Sequence, residues 1–211
     1  MKGSNLLPIA KEGLFCISSA LALFLFFILI DLEFLAFLAF ASSMVLVYFF
    51  RNPERELPMF ESSSVISPCD GVVKSIVELE DSEYAYRVDI ESNLSDIAIL
   101  RAPISAKVQE LEKFNGTRVA KKSKLFLDTN ERGSLVFKGD NANSVKVTHR
   151  LKESFAPLFM DVKKAVSLQQ SARYGFMLNG VTSLYLPHNF RLNVSVSDEL
   201  KASESLMGYF S

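Results

Sequence analysis

Two stretches of this 211-residue chain carry no charge, residues 14–30 and residues 34–50, each 17 residues long and rich in Leu, Phe, Ile and Ala. A helix needs about 17 to 25 apolar residues to cross the hydrocarbon of a bilayer, so each run is just long enough and leaves little room for tilt. Only Asp31, Leu32 and Glu33 separate the runs, which is enough for a turn and nothing more. The expected structure is a two-helix transmembrane hairpin over 14–50, preceded by a lead-in of residues 1–13. Lys2 and Lys11 lie before the hairpin, Arg51 and Arg55 lie after it, and the turn holds only acids. Basic flanks stay on the cytoplasmic side, so both ends are expected at the cytoplasmic face of the inner membrane, with the domain that follows. A cleaved signal peptide is disfavoured because no small-residue cleavage site follows the first run, and a single long helix because Asp31 and Glu33 interrupt it.

Beyond the hairpin the apolar period changes from helical to two. Strands are predicted over 72–79, 84–91, 97–100, 107–111, 125–128, 134–138, 145–149, 183–186 and 191–196, with turn signals at 68–71, 115–116, 139–143 and 187–189. Only 151–165 reads as helical, and Pro157 limits it. Many short, closely spaced strands predict a mainly β domain over 51–211, an antiparallel sandwich or barrel. After residue 51 the chain carries 20 basic against 21 acidic residues with no basic stripe, so no nucleic-acid partner is expected. The two cysteines, Cys16 inside the first run and Cys69 after a proline, have no metal-ligand or redox spacing, so neither a metal nor a disulfide is expected.

Several segments are more specific. They are Phe49-Phe50-Arg51-Asn52-Pro53-Glu54-Arg55, Ser67-Pro68-Cys69-Asp70-Gly71, Asp96 with Arg101-Ala102-Pro103, Asn130-Glu131-Arg132 and Leu184-Tyr185-Leu186-Pro187. In order and composition they resemble the short-form, membrane-anchored bacterial phosphatidylserine decarboxylases, and the resemblance runs from Pro8 to Met207. It implies a lipoyl-domain-like core within the β fold, a place in phospholipid metabolism and pyruvoyl-dependent carboxy-lyase chemistry. In that chemistry a serine attacks its own backbone, the chain splits, and the serine becomes a pyruvoyl group that takes the substrate amine as a Schiff base. Asp, His and Ser are all needed.

The resemblance places Asp70 as the orienting carboxylate; read alone, an Asp-Gly after Ser-Pro is an ordinary turn. At the histidine's position the chain has Ala98, which cannot move a proton. Counted from Gly175, the family's Gly-Ser pair falls on Gly180 and Val181; counted back from Leu184 it falls on Asn179 and Gly180. Ser183 is the nearest serine and reads alone as a strand hydroxyl. His188, a loop residue, is the nearest substitute base. His149 alternates with Val145 and Val147 and is expected to face solvent.

The leading expectation is a non-processed, catalytically inactive homologue that needs no cofactor. It would bind aminophospholipid headgroups, phosphatidylserine among them, or pair with an active relative or with itself as a homo-oligomer. Arg101, Lys121 and Lys122 are candidate contacts to lipid phosphate, set against the plainer reading of exposed basic residues that are simply solvated. The alternative is an active decarboxylase making phosphatidylethanolamine from phosphatidylserine, with a self-derived pyruvoyl from Ser183, His188 as base and Asp70 as orienter. A third expectation is a structural membrane protein whose β domain serves as an interaction surface.

Overall fold

The computed structural model describes residues 8–55, 58, 60–61, 63–80, 83–139 and 143–211. The chain divides into two compact units, Met1–Glu54 and Arg55–Ser211.

In the first unit, helix α1 spans Lys11–Leu29 and α2 spans Glu33–Phe49. Asp31, at a left-handed φ of 57°, makes the reversal between them. The helices touch through small residues and rings: Gly13 lies against the Phe50 ring, Ala36 and Ser43 are buried, and Phe24 meets Phe40 at a centroid distance of 5.3 Å. Small side chains let two apolar helices approach closely where no water drives them together. The open end is tied by backbone hydrogen bonds, Ala10 N–H to the Phe50 carbonyl and Asn52 N–H to the Pro8 carbonyl, both 2.7 Å. Helix α1 is long and apolar enough to cross a membrane; α2 is apolar but, at 17 residues, shorter.

The second unit is mainly β. In chain order its first strands are β1 (Ser64–Ile66), β2 (Gly71–Glu78), β3 (Tyr86–Ser92), β4 (Ile99–Arg101) and β5 (Ala106–Phe114), followed by the one-turn helix α3 (Phe126–Thr129). Then come β6 (Arg132–Lys138), β7 (Ser144–Leu151), β8 (Phe159–Met160), β9 (Ser167–Leu168) and β10 (Arg173–Phe176). The last are β11 (Gly180–Leu186), β12 (Phe190–Leu192), β13 (Glu199–Leu200) and β14 (Leu206–Phe210). Eight strands form one sheet in the order β13-β2-β3-β11-β7-β6-β5-β9, and two three-stranded sheets have the orders β1-β14-β12 and β4-β10-β8. Every named pair is antiparallel, and one apolar core draws residues from all three sheets, among them Val65, Val88, Leu100, Leu135, Val147, Leu184 and Met207. Strand β11 is central, paired with β3 along all seven of its residues and with β7 along six.

Two predicted elements are corrected. Residues 125–128 are not a strand: Leu125 begins a turn and Phe126–Thr129 is α3, with Phe126 buried and its two leucine neighbours outside. Residues 151–165 are not a helix. Leu158 N–H donates to the Glu131 carboxylate and Asp161 N–H to the Tyr174 carbonyl, so the segment is held by partners far along the chain and forms β8 instead.

Candidate functional site

The pleat of β11 sorts its side chains onto two faces. Thr182 points inward with Leu184 and Leu186, all fully buried, whereas Ser183 points the other way. The next strand, β7, places His149 directly opposite Thr182. His149 shares its face with Val145, Val147 and Leu151, and all four are fully buried. The expectation of a solvent-facing His149 is therefore corrected. Its spacing from the valines sets it on the core side despite its polar ring.

Inside the core the imidazole bridges two hydroxyls, Nδ1 to Thr182 Oγ1 at 2.8 Å and Nε2 to the Tyr174 hydroxyl at 2.6 Å. A neutral imidazole donates from one nitrogen and accepts at the other, so both hydroxyls are satisfied by a single uncharged ring. Burial pushes the His149 pKa down to about 3 and lifts that of Tyr174 well above its ordinary value. Cys69 completes the group: its thiol faces the hydroxyls of Thr182 and Ser92, and burial pushes its pKa up to about 12. At neutral pH all these titratable groups stay uncharged. An imidazole with so low a pKa is a poor base for a hydroxyl proton, and the thiol is far from its reactive thiolate form. Tyr174, Thr182 and Cys69 escaped the sequence reading; the signal that finds them is His149 standing in phase with three apolar residues, since a buried imidazole needs partners.

The residues singled out in the sequence lie apart from one another. Asp70, in the turn before β2, accepts from Arg55 Nη2 at 2.6 Å and from the Ala202 backbone N–H at 2.9 Å, and both side chains of the pair are nearly buried. Gly71 makes that turn possible: its φ is +150°, and a Cβ there would overlap the Glu91 carbonyl. Arg55 also reaches Glu204, at 3.7 Å. Arg101, on β4, is 8% exposed and donates through Nη1 to the Ser171 carbonyl at 3.4 Å and hydroxyl at 3.3 Å. Its pKa is pushed down to about 10, by burial first and then by the charges of Arg173 and Arg55. Three guanidinium groups and two carboxylates thus share one region.

Ser183 belongs elsewhere. Its hydroxyl donates to Asp89 Oδ1 at 2.6 Å, Ser75 donates to Oδ2 of the same carboxylate at 2.8 Å, and Arg87 lies 3.3 Å from it. This polar row runs across the outer face of the large sheet. His188 is exposed beyond the end of β11, five residues and roughly 15 Å of extended chain from Ser183. Ala98 is buried, and its carbonyl accepts from Met177 N–H at 2.7 Å. Gly180 starts β11 after Asn179 at a φ of 65°; a Cβ on Gly180 would sit 2.7 Å from the Arg150 carbonyl and 2.5 Å from the Met177 sulfur. Val181, next to it, lies in the ladder between Glu91 and Arg150. Lys121 donates to Glu91 at 2.8 Å, as does Lys152; burial works against charge on Glu91, and these two hydrogen bonds prevail and hold its pKa below the ordinary value. Lys122 is exposed.

Comparison with known proteins accounts for this arrangement of landmarks. The family model described as phosphatidylserine decarboxylase matches residues 43–208. A phosphatidylserine decarboxylase proenzyme of Geotalea uraniireducens is 30% identical over 207 residues, 95% of this chain and 96% of the relative. Proenzymes of the same description from Desulfotalea psychrophila and Syntrophus aciditrophicus are 27% and 25% identical, each covering at least 95% of both chains. With the family model matching well over half of the chain, from residue 43 to residue 208, and about 95% of its length aligned to such relatives, the chain belongs to the phosphatidylserine decarboxylase family.

Proposed function

We propose that this member of the family is neither self-processed nor a decarboxylase, and that it acts at the membrane by holding aminophospholipid headgroups. The observation that carries the reading is the hydrogen bond from Ser183 to Asp89. The hydroxyl that would have to attack the backbone is committed to a carboxylate on the outer face of the sheet, and the Thr182–Ser183 peptide sits in a ladder bonded on both sides. Neither histidine of the chain lies beside Ser183: His149 is on the opposite face and His188 beyond the strand end. Nucleophile, base and orienting group act as a unit, so separating them removes the activation that each gives the next.

The family is pyruvoyl-dependent and derives that group from its own chain. The residues around Ser183 do not fit its formation, because Asp70 is engaged by Arg55 and Ser183 by Asp89. Headgroup binding is supported by the region around Arg101, where the guanidinium groups of Arg55, Arg101 and Arg173 suit phosphate and carboxylate and the partly exposed carboxylate of Glu204 suits an ammonium. The basic residues flanking the helical hairpin support a cytoplasmic placement of the β unit.

The test is the mass of the full chain, purified in detergent and measured under denaturing conditions. One species near 23.6 kDa is expected. Two fragments joined near residues 181–183, the second with a blocked N-terminus, would overturn the reading. For the binding role, short-chain phosphatidylserine is expected to raise the melting temperature of the chain and to lose that effect in Arg101→Gln; an equal shift in both proteins would reject it.

A further inference from the structure

The segment between β5 and β6 carries exposed leucines that none of the described residues covers. Leu125 and Leu127 flank the buried Phe126 and are 57% and 62% exposed. They are not on a loose loop. Ser123 N–H donates to the Ala120 carbonyl, Phe126 N–H to the Ser123 carbonyl, and Thr129 N–H and hydroxyl both to the Leu125 carbonyl, at 2.9 to 3.1 Å. Phe126 anchors the turn in the unit, and the chain geometry then directs both leucines outward. At the edge of the segment the half-exposed Phe114 ring lies under the Arg132 guanidinium at 4.3 Å, and Arg132 also donates to the Asp128 carbonyl at 3.0 Å.

The charges around this tip are one-sided. Residues 121–129 hold Lys121, Lys122 and Lys124 against Asp128 alone. Lys121 is engaged by Glu91, while Lys122 and Lys124 are exposed. A small apolar tip with a basic collar suits a lipid interface, where acyl chains receive the leucines and lipid phosphates the lysines. A protein partner is the poorer fit, because two leucines supply little of the roughly 800 Å² per side that a stable protein interface buries. The same chain carries α1, which is apolar and long enough to cross a membrane, so a lipid surface is present at high effective concentration.

We propose that the segment Lys121–Thr129 docks on an anionic lipid surface, with Leu125 and Leu127 entering the boundary between headgroups and acyl chains and Lys122 and Lys124 set against lipid phosphates. This contact is separate from the arginine region around Asp70 and does not depend on whether the chain is processed.

The chain contains no tryptophan, so Leu127→Trp introduces a single emitter at an exposed site. The full chain is reconstituted in phosphatidylcholine vesicles, with or without phosphatidylglycerol, whose acyl chains are brominated. Val166→Trp is the control: Val166 is also exposed, and it bonds to the opposite end of β5, about 20 Å from Phe114. Expected are blue-shifted emission and strong quenching at position 127 in phosphatidylglycerol vesicles, weak quenching at 166, and relief by salt. Adding Lys122→Glu and Lys124→Glu should lower the docked-to-free ratio by about fivefold or more for each lysine. Equal quenching at 127 and 166 would overturn the proposal, as would quenching at 127 indifferent to phosphatidylglycerol. A blue shift without bromolipid quenching would also overturn it, since the leucines would then be covered by a second copy of the chain.

Discussion

Arg55 and Asp70 meet at 2.6 Å with both side chains almost out of solvent, so a guanidinium occupies the carboxylate that the family resemblance assigns to orienting a base. Removing one partner of such a pair strands the other charge in a poorly hydrated place. Asp70→Asn is expected to cost about 3 kcal/mol of stability, read as a lower denaturant midpoint. The double variant Arg55→Met with Asp70→Leu should lose much less than the sum of the single changes. If the singles were neutral, the pair would be no anchor of the β2 turn.

The bridge made by His149 sets a second expectation. His149→Ala leaves the Thr182 and Tyr174 hydroxyls without their partner and opens a void, which should cost about 3 kcal/mol or more. Tyr174→Phe removes one hydrogen bond and should cost about 1 to 2 kcal/mol. A double-mutant cycle between the two positions should show clear coupling. Purely additive losses would mean that the 2.6 Å contact contributes nothing in solution.

The same imidazole makes stability depend on pH in a definite direction. Folded His149 stays neutral down to about pH 3, while its ordinary value is 6.5, so between these limits the unfolded chain binds the extra proton. Stability should therefore fall as pH falls below 6.5, by up to about 1.4 kcal/mol per pH unit, or about 2 kcal/mol by pH 5. His149→Gln should flatten that slope. The lowered pKa of Glu91 acts in the same direction only at more acid pH, as its carboxylate takes up a proton. Denaturant midpoints at pH 7, 6 and 5 check this, and a slope unchanged in His149→Gln would exclude His149 as its source.

At Gly71 the backbone requirement is steric. A methyl group there would overlap the Glu91 carbonyl at a φ that L residues rarely adopt. Gly71→Ala should cost about 2 kcal/mol or more and weaken the Asp70 turn, whereas Gly139→Ala, where the nearest atoms lie 3.6 Å away, should be close to neutral. Circular dichroism melts of the two variants side by side decide it.

Much of this architecture was legible in the residues. Two runs without charge gave α1 and α2, and period-two alternation gave β2, β3, β5, β6, β7 and β11. Where the reading went astray, the deciding partners were far away in sequence. Residues 151–165 look helical by spacing, but Glu131 and Tyr174 hold their backbone. Leu125–Asp128 is too short a run for its pattern to separate strand from helical turn. The two-residue strands β8, β9 and β13 have too few residues for any period to appear. Within the candidate site, the resemblance assigned positions along the chain to Asp70, Ala98, Gly180 and Val181, with Ser183 entering only as the nearest serine. It did not say which face of the sheet each would take, and that is what separates Ser183 from His149.

Strand β11 is bonded on both flanks over almost its whole length, and this gives the sheet the character of a splint. A break in the backbone at its start would leave the C-terminal piece zippered through β11 to β3 and β7 of the N-terminal piece, so the fold would persist without covalent continuity. The scaffold is thereby indifferent to whether the chain is whole. The whole and the cut chain therefore need no different fold.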